Sequence, residues 1–144
     1  MDDLFSGTKP VDESLAISKS NLQEWMNENI AQEDIISIEQ FRGGQSNPTY
    51  KISTNTNKYV LRRKPPGKLL PSAHAVDREY AVITALQDTN VPVPRSFGLC
   101  EDNEVVGTPF FMMEFLDGIV HWDLLLPNMT NQERTEIYAE KNRV

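Results

Sequence analysis

The chain is 144 residues long, with 39% hydrophobic and 24% charged residues and a formal net charge of -7. That suits one domain with a packed core, while no apolar run approaches the ~20 residues that cross a bilayer. The acidic start Met1-Asp2-Asp3 is unlike a secretory signal, and the single Cys100 forms neither an intrachain disulfide nor a multi-cysteine metal site. Residues 1–40 carry nine acids against Lys9 and Lys19, and the remainder is balanced. Phosphate neutralisation supplies most affinity for nucleic acid, so no nucleic acid and no membrane are expected as partners. The expected location is the cytoplasm or an organelle matrix.

Residues 1–17, polar and broken by Gly7 and Pro10, read as a flexible acidic leader. Ser18 is a helix N-cap, and Leu22, Trp25, Met26 and Ile30 form one apolar stripe on a helix over 19–29. That stripe is expected to pack on the sheet rather than dock another domain. The β-branched run 35–41, the alternating run 49–54 and Lys58 to Arg63 read as three antiparallel strands. The first and second flank Arg42-Gly43-Gly44-Gln45-Ser46-Asn47-Pro48; Asn55-Thr56-Asn57 joins the second and third as a hairpin. Pro65-Pro66-Gly67 ends the third strand, and His74 to Gln87 reads as a helix with Val76, Tyr80 and Ile83 inward. Residues 97–100 and 110–115 read as two further strands around a polar turn at Asp102-Asn103. Thr130 to Glu133 is a capping box opening a last helix. The fold class is therefore α+β, a five-stranded antiparallel sheet with one inserted helix.

Three constellations point to chemistry. Paired glycines let backbone N–H groups approach an anion without a Cβ in the way, although a Gly43-Gly44 pair alone is often only a turn. Along the third strand, Val60 and Arg62 share one face and Tyr59, Leu61 and Arg63 the other. An aliphatic side chain for a base and a cation for phosphates, two positions apart, suit a nucleotide cleft; the plainer reading is an arginine at a solvated strand end. Arg62, Arg63, Lys64 and Lys68 form the one basic concentration. Glu79, at the edge of the helix stripe, is placed to hold Arg62 by paired hydrogen bonds. His121-Trp122-Asp123 has no Ser, Cys or metal-ligand set beside it and reads as packing or local capping.

Taken in order, Phe41 to Tyr50, Tyr59-Val60-Leu61-Arg62-Arg63-Lys64-Pro65-Pro66-Gly67, Val76-Asp77-Arg78-Glu79-Tyr80 and Val91-Pro92-Val93-Pro94 resemble the aminoglycoside phosphotransferase-like family. The branch that they resemble is the phosphotransferase domain found alone or fused to acyl-CoA dehydrogenases. The resemblance implies a protein-kinase-like N-terminal lobe over 18–116, with 117–144 as hinge and start of a truncated helical C-lobe. It implies transfer of the γ-phosphate of ATP, with Mg2+, to a small-molecule hydroxyl. Gly43, Gly44, Gln45, Ser46 and Asn47 would cover the phosphates, with Val60 on the base. Arg62 would contact the α/β-phosphates with Glu79 orienting it, and the Glu114 C=O and Leu116 N–H would bind adenine.

The double glycine departs from the kinase G-x-G-x-x-G spacing, and Arg62 stands where antibiotic-modifying members have lysine, an exchange that is not conservative. Fused relatives point to hydroxyacyl thioesters or related hydroxy acids as acceptors rather than antibiotics, and to a fused or separate acyl-CoA dehydrogenase as partner. The family's catalytic loop and metal-binding Asp motif belong to the C-terminal lobe, and His121-Trp122-Asp123 comes too soon after the hinge for that loop. The chain alone is therefore expected to lack catalytic and metal residues and not to turn over substrate. The alternative is a non-catalytic, pseudokinase-like module that binds protein through apolar surface around Met112, Phe115 and Leu124 to Leu126.

Overall fold

Side chains alternating with a period of two build the centre of the fold. In the computed structural model, which describes residues 7–43, 47–67, 75–117, 126 and 129–143, β2 (Ile35–Phe41), β3 (Thr49–Thr54) and β4 (Lys58–Arg63) form an antiparallel meander. All three keep the bounds that the alternation predicts. With β1 (Thr8–Lys9), β5 (Ser96–Cys100) and β6 (Phe110–Glu114), the sheet order is β1-β2-β3-β4-β6-β5, and every neighbour is antiparallel. The sheet thus has six strands rather than five. Thr8 pairs with Phe41 and Lys9 with Gln40; two residues carry no periodicity, so their strand character comes from the β2 edge they meet. From there the segment read as a leader continues through a 3-10 turn, Glu13–Leu15, with the Asp12 N–H donating to Gln40 Oε1 at 3.0 Å.

Helix α1 (Lys19–Asn29) begins as its cap predicts, the Asn21 N–H donating to Ser18 Oγ at 3.2 Å. Its stripe lies on the sheet: Leu22 and Met26 are fully buried, and Trp25 meets Phe110 edge-on with ring centroids 4.8 Å apart. A Cβ on Gly98 would stand 3.2 Å from Trp25 Cη2, so a glycine there lets the indole close on β5. Beneath α1 lie Tyr50, Ile52, Leu61, Phe110 and Met112. Met112 is therefore buried, as is Leu126. This corrects the expectation of open apolar surface at those two residues; Leu124 and Leu125 lie outside the described residues. Among the described residues, the exposed large hydrophobics Ile36, Val82, Leu116 and Tyr138 come from separate parts of the chain. Ile36 is the extra residue of a bulge, since Ile35 pairs with Thr54 and Ser37 with Ser53.

Helix α2 (Val76–Leu86) covers the opposite face, where Val60, Val76, Phe111 and Met113 pack with Tyr80, Ile83 and Leu99. The polar turn expected near Asp102 is a one-turn helix, α3 (Asn103–Val106), capped by Asp102 Oδ1, which accepts from the Glu104 N–H at 2.9 Å, and closed by Gly107 at φ 100°. Helix α4 (Asn131–Arg143) opens on the predicted capping box: Thr130 Oγ1 accepts from the Glu133 N–H at 3.1 Å, and Glu133 Oε2 from the Thr130 N–H at 2.8 Å. Among the described residues, no helix is long and apolar enough to cross a membrane.

Candidate functional site

The central strand β4 sends alternate side chains to opposite faces, and Arg62 falls on the α2 side. There its Nη1 donates to Glu79 Oε1 in an ion pair, and its Nε donates to Thr49 Oγ1 at 3.3 Å. Strand β3 and helix α2 therefore hold one guanidinium from two directions. Both ion-pair side chains keep 30% of their surface exposed, so the pair fixes geometry more than it stabilises the fold. The Thr49 hydroxyl in turn donates to the Asn47 C=O at 2.9 Å, at the end of the glycine segment. Gly43 and Asn47 are half-buried beside β2 and β3; Gly44, Gln45 and Ser46 lie outside the described residues. On the same face Val60 is buried against Phe111 and Met113, and Phe41 stacks on Phe115 with centroids 6.2 Å apart and planes 19° from parallel. Lys51 Nζ lies 4.8 Å from the Phe115 ring centroid. Glu114, the last residue of β6, pairs with Tyr59, and its N–H donates to the Arg95 C=O at 2.7 Å. Leu116 follows, exposed at 58%.

Residues 37–142 match the phosphotransferase enzyme family. The chain belongs to that family. It is 42% identical over 139 residues to acyl-CoA dehydrogenase family member 10 of Mus musculus, covering 95% of this chain and 13% of that protein. It is 41% identical over 127 residues to acyl-CoA dehydrogenase family member 11 of Homo sapiens, covering 85% of this chain and 16% of that one. A crystal structure assigned as an aminoglycoside phosphotransferase from Ralstonia eutropha superposes with a TM-score of 0.75 at 44% identity, over 90% of this chain and 37% of that one. The chain thus spans a small part of the curated relatives it matches, and the kinase-like fold class follows from the superposition.

Not every residue of the family motifs reaches the site. Arg63, adjacent to Arg62, is 3% exposed on the α1 side. Its Nε donates to Tyr50 Oη at 3.0 Å, Nη1 to the Val106 C=O at 3.0 Å and Nη2 to the Leu15 C=O at 3.2 Å. The basic run is therefore not one patch: alternation splits it across the sheet, and Lys68 lies outside the described residues. Burial pushes the Tyr50 phenol above its ordinary range, against the opposing pull of Arg63.

A carboxylate that the sequence gives no motif for, Glu33, gathers the β3–β4 hairpin. Its Oε1 accepts from Thr54 Oγ1 at 2.6 Å, Thr56 Oγ1 at 2.8 Å and Asn57 Nδ2 at 3.1 Å, and its Oε2 from Tyr59 Oη at 2.7 Å. Burial works against ionisation here, but the donors from Thr54, Tyr59, Thr56 and Asn57 prevail and hold the carboxyl at about 2. Burial, and then this carboxylate, push Tyr59 up to about 12. A group so saturated and so far from neutral suits a clamp rather than an acid–base catalyst.

His121, Trp122 and Asp123 lie outside the described residues. The expectation that no Asn follows them is corrected by Asn128, which stands five positions after Asp123, the spacing of a kinase catalytic loop. Among the described residues, the Leu126 C=O accepts from the Met129 N–H at 3.2 Å and from Arg134 Nε at 3.2 Å.

Proposed function

We propose that this chain is the ATP-binding lobe of a small-molecule phosphotransferase, which moves the γ-phosphate of ATP to a substrate hydroxyl. The observation that carries the reading is the Arg62–Glu79 ion pair, on the sheet face that also buries Val60 and Met113. A guanidinium held through Nε by Thr49 and through Nη1 by Glu79 keeps further N–H donors for phosphate oxygens. Buried aliphatic groups on the same face exclude water from a purine and strengthen its polar contacts. Bound ATP would supply the transferable phosphoryl group. The chain's own residues would bind it, Arg62 at the α/β-phosphates, Gly43 to Asn47 over them, Val60 on the base, and the Glu114 C=O and Leu116 N–H at its edge.

Magnesium is another matter. Among the described residues, no group of three or more His, Cys, Asp or Glu could hold a metal ion; magnesium is commonly held by one or two carboxylates together with substrate phosphates, and its protein ligands are expected in the C-terminal lobe. Phosphoryl transfer is chiefly positioning plus neutralisation of charge, and the 144-residue polypeptide is proposed to bind nucleotide without turnover. The likeness to acyl-CoA dehydrogenase family members supports a fused or separate acyl-CoA dehydrogenase as partner, and hydroxyacyl thioesters or related hydroxy acids are the proposed acceptor class.

Isothermal titration with ATP tests the reading. The chain binds, and Arg62→Ala weakens binding about tenfold, as expected for loss of a charge-assisted contact to phosphate. Equal affinity in the two proteins removes Arg62 from the site.

A further inference from the structure

Thr49 carries a role that neither the motifs nor the family assigns. Its side chain is buried, at 6% exposure, and it sits between two groups of the proposed site. Its Oγ accepts from Arg62 Nε at 3.3 Å, and its hydroxyl proton goes to the Asn47 C=O at 2.9 Å. Thr49 and Arg62 are direct partners across the β3–β4 ladder, which runs one step further through the Arg63 N–H to the Pro48 C=O at 3.1 Å. A hydroxyl has one proton and two lone pairs, so this one links both neighbours at once. The resulting path runs from the end of the glycine segment, through strand β3, to the guanidinium and on to Glu79 of helix α2.

Resting on the nucleotide reading above, we infer that Thr49 is a positioning residue for polyphosphate: it sets the plane of the Arg62 guanidinium and ties that plane to the end of the glycine segment. Lysine has no Nε–H fork to be held in this way, so the threonine answers the arginine in this chain. Nη1 is committed to Glu79 and Nε to Thr49, which fixes the rotation of the remaining N–H groups before an anion arrives. Preorganisation of this kind acts on affinity for the group that the guanidinium meets and leaves the base contacts alone.

The test compares ATP with adenosine, titrated into the 144-residue chain and its variants, with thermal melts alongside. Wild type prefers ATP. Thr49→Val, of nearly the same shape, lowers ATP affinity about five- to tenfold, the effect of one hydrogen bond to a charged group, and leaves adenosine unchanged. Thr49→Ser, which keeps the hydroxyl, restores the preference, and in an Arg62→Ala background Thr49→Val has no further effect on ATP. The inference alone falls if Thr49→Val keeps the wild-type ratio of ATP to adenosine affinity. It also falls if Thr49→Ser loses that ratio as valine does, because the methyl packing would then be responsible. A wild-type chain that does not distinguish ATP from adenosine overturns the nucleotide reading and this inference with it.

Discussion

Arg62 and Arg63 are neighbours in sequence and lie on opposite faces of one sheet. Arg62 meets a carboxylate, a hydroxyl and solvent; Arg63 meets a phenol and two backbone carbonyls, with almost no water. The α1 face, from Leu22 and Met26 down to Phe110 and Met112, is closed by a helix and by the segment leading to it. The α2 face is closed only in part, and its cations remain at the surface. One strand thus serves a structural side and a binding side, and the same residue type does different work on each.

Four variants break or sharpen that contrast. The largest effect is expected from deleting residues 1–30, which strips Leu22, Trp25 and Met26 from the closed face. Each buried large residue is worth about 2–5 kcal/mol against a typical total stability of about 5–15 kcal/mol. Circular dichroism should then show no cooperative melt. Next, Arg63→Met should cost about 2–3 kcal/mol in urea unfolding, because the Val106 C=O loses its donor and Tyr50 Oη its charged partner. Nucleotide affinity should hardly change. Arg62→Ala should show the inverse, with loss of nucleotide affinity and a shift in unfolding free energy under about 1 kcal/mol. If both arginine variants lose stability equally, the two-sided division fails.

A further effect is a dependence on pH. Glu33 titrates at about 2 in the folded chain against an ordinary 4.5. A depressed carboxylate stabilises the fold above its unfolded value, and that contribution is lost as pH falls from about 4.5 towards 2. Glu33→Gln should therefore flatten the acid limb of the urea midpoint over that window; an unchanged limb would mean that the hairpin donors do not hold the charge.

Much of this was legible in the sequence, for identifiable reasons. Strands β2, β3 and β4 and helix α1 carry strong periodicity and a defined cap, and alternation alone put Arg62 and Val60 on one face. Strand β1 and helix α3 were not legible, since two and four residues are too few for a period to show; Asp102 and Gly107 were the available cue for α3. The burial of Arg63 has a different cause. Its acceptors come from Leu15, Tyr50 and Val106, which are distant in sequence and met only after folding. Met112 is buried by helix α1, whose Leu22 and Met26 reach the sheet only after folding. Thr49 gives no signal in the sequence, because a threonine in a strand is ordinary until its two hydrogen-bond neighbours are known.

Glu33 grips both arms of the hairpin between β3 and β4 at once, through Thr54 on one side and Tyr59 on the other. A slip of one position along β4 would turn every side chain to the opposite face and exchange the two arginines, placing the buried one in the open and the exposed one in the dark. An insertion or deletion between positions 54 and 59 would therefore damage a site that it never touches. The tip of a surface hairpin, usually a tolerant place for length changes, is here the index that keeps the whole sheet in step.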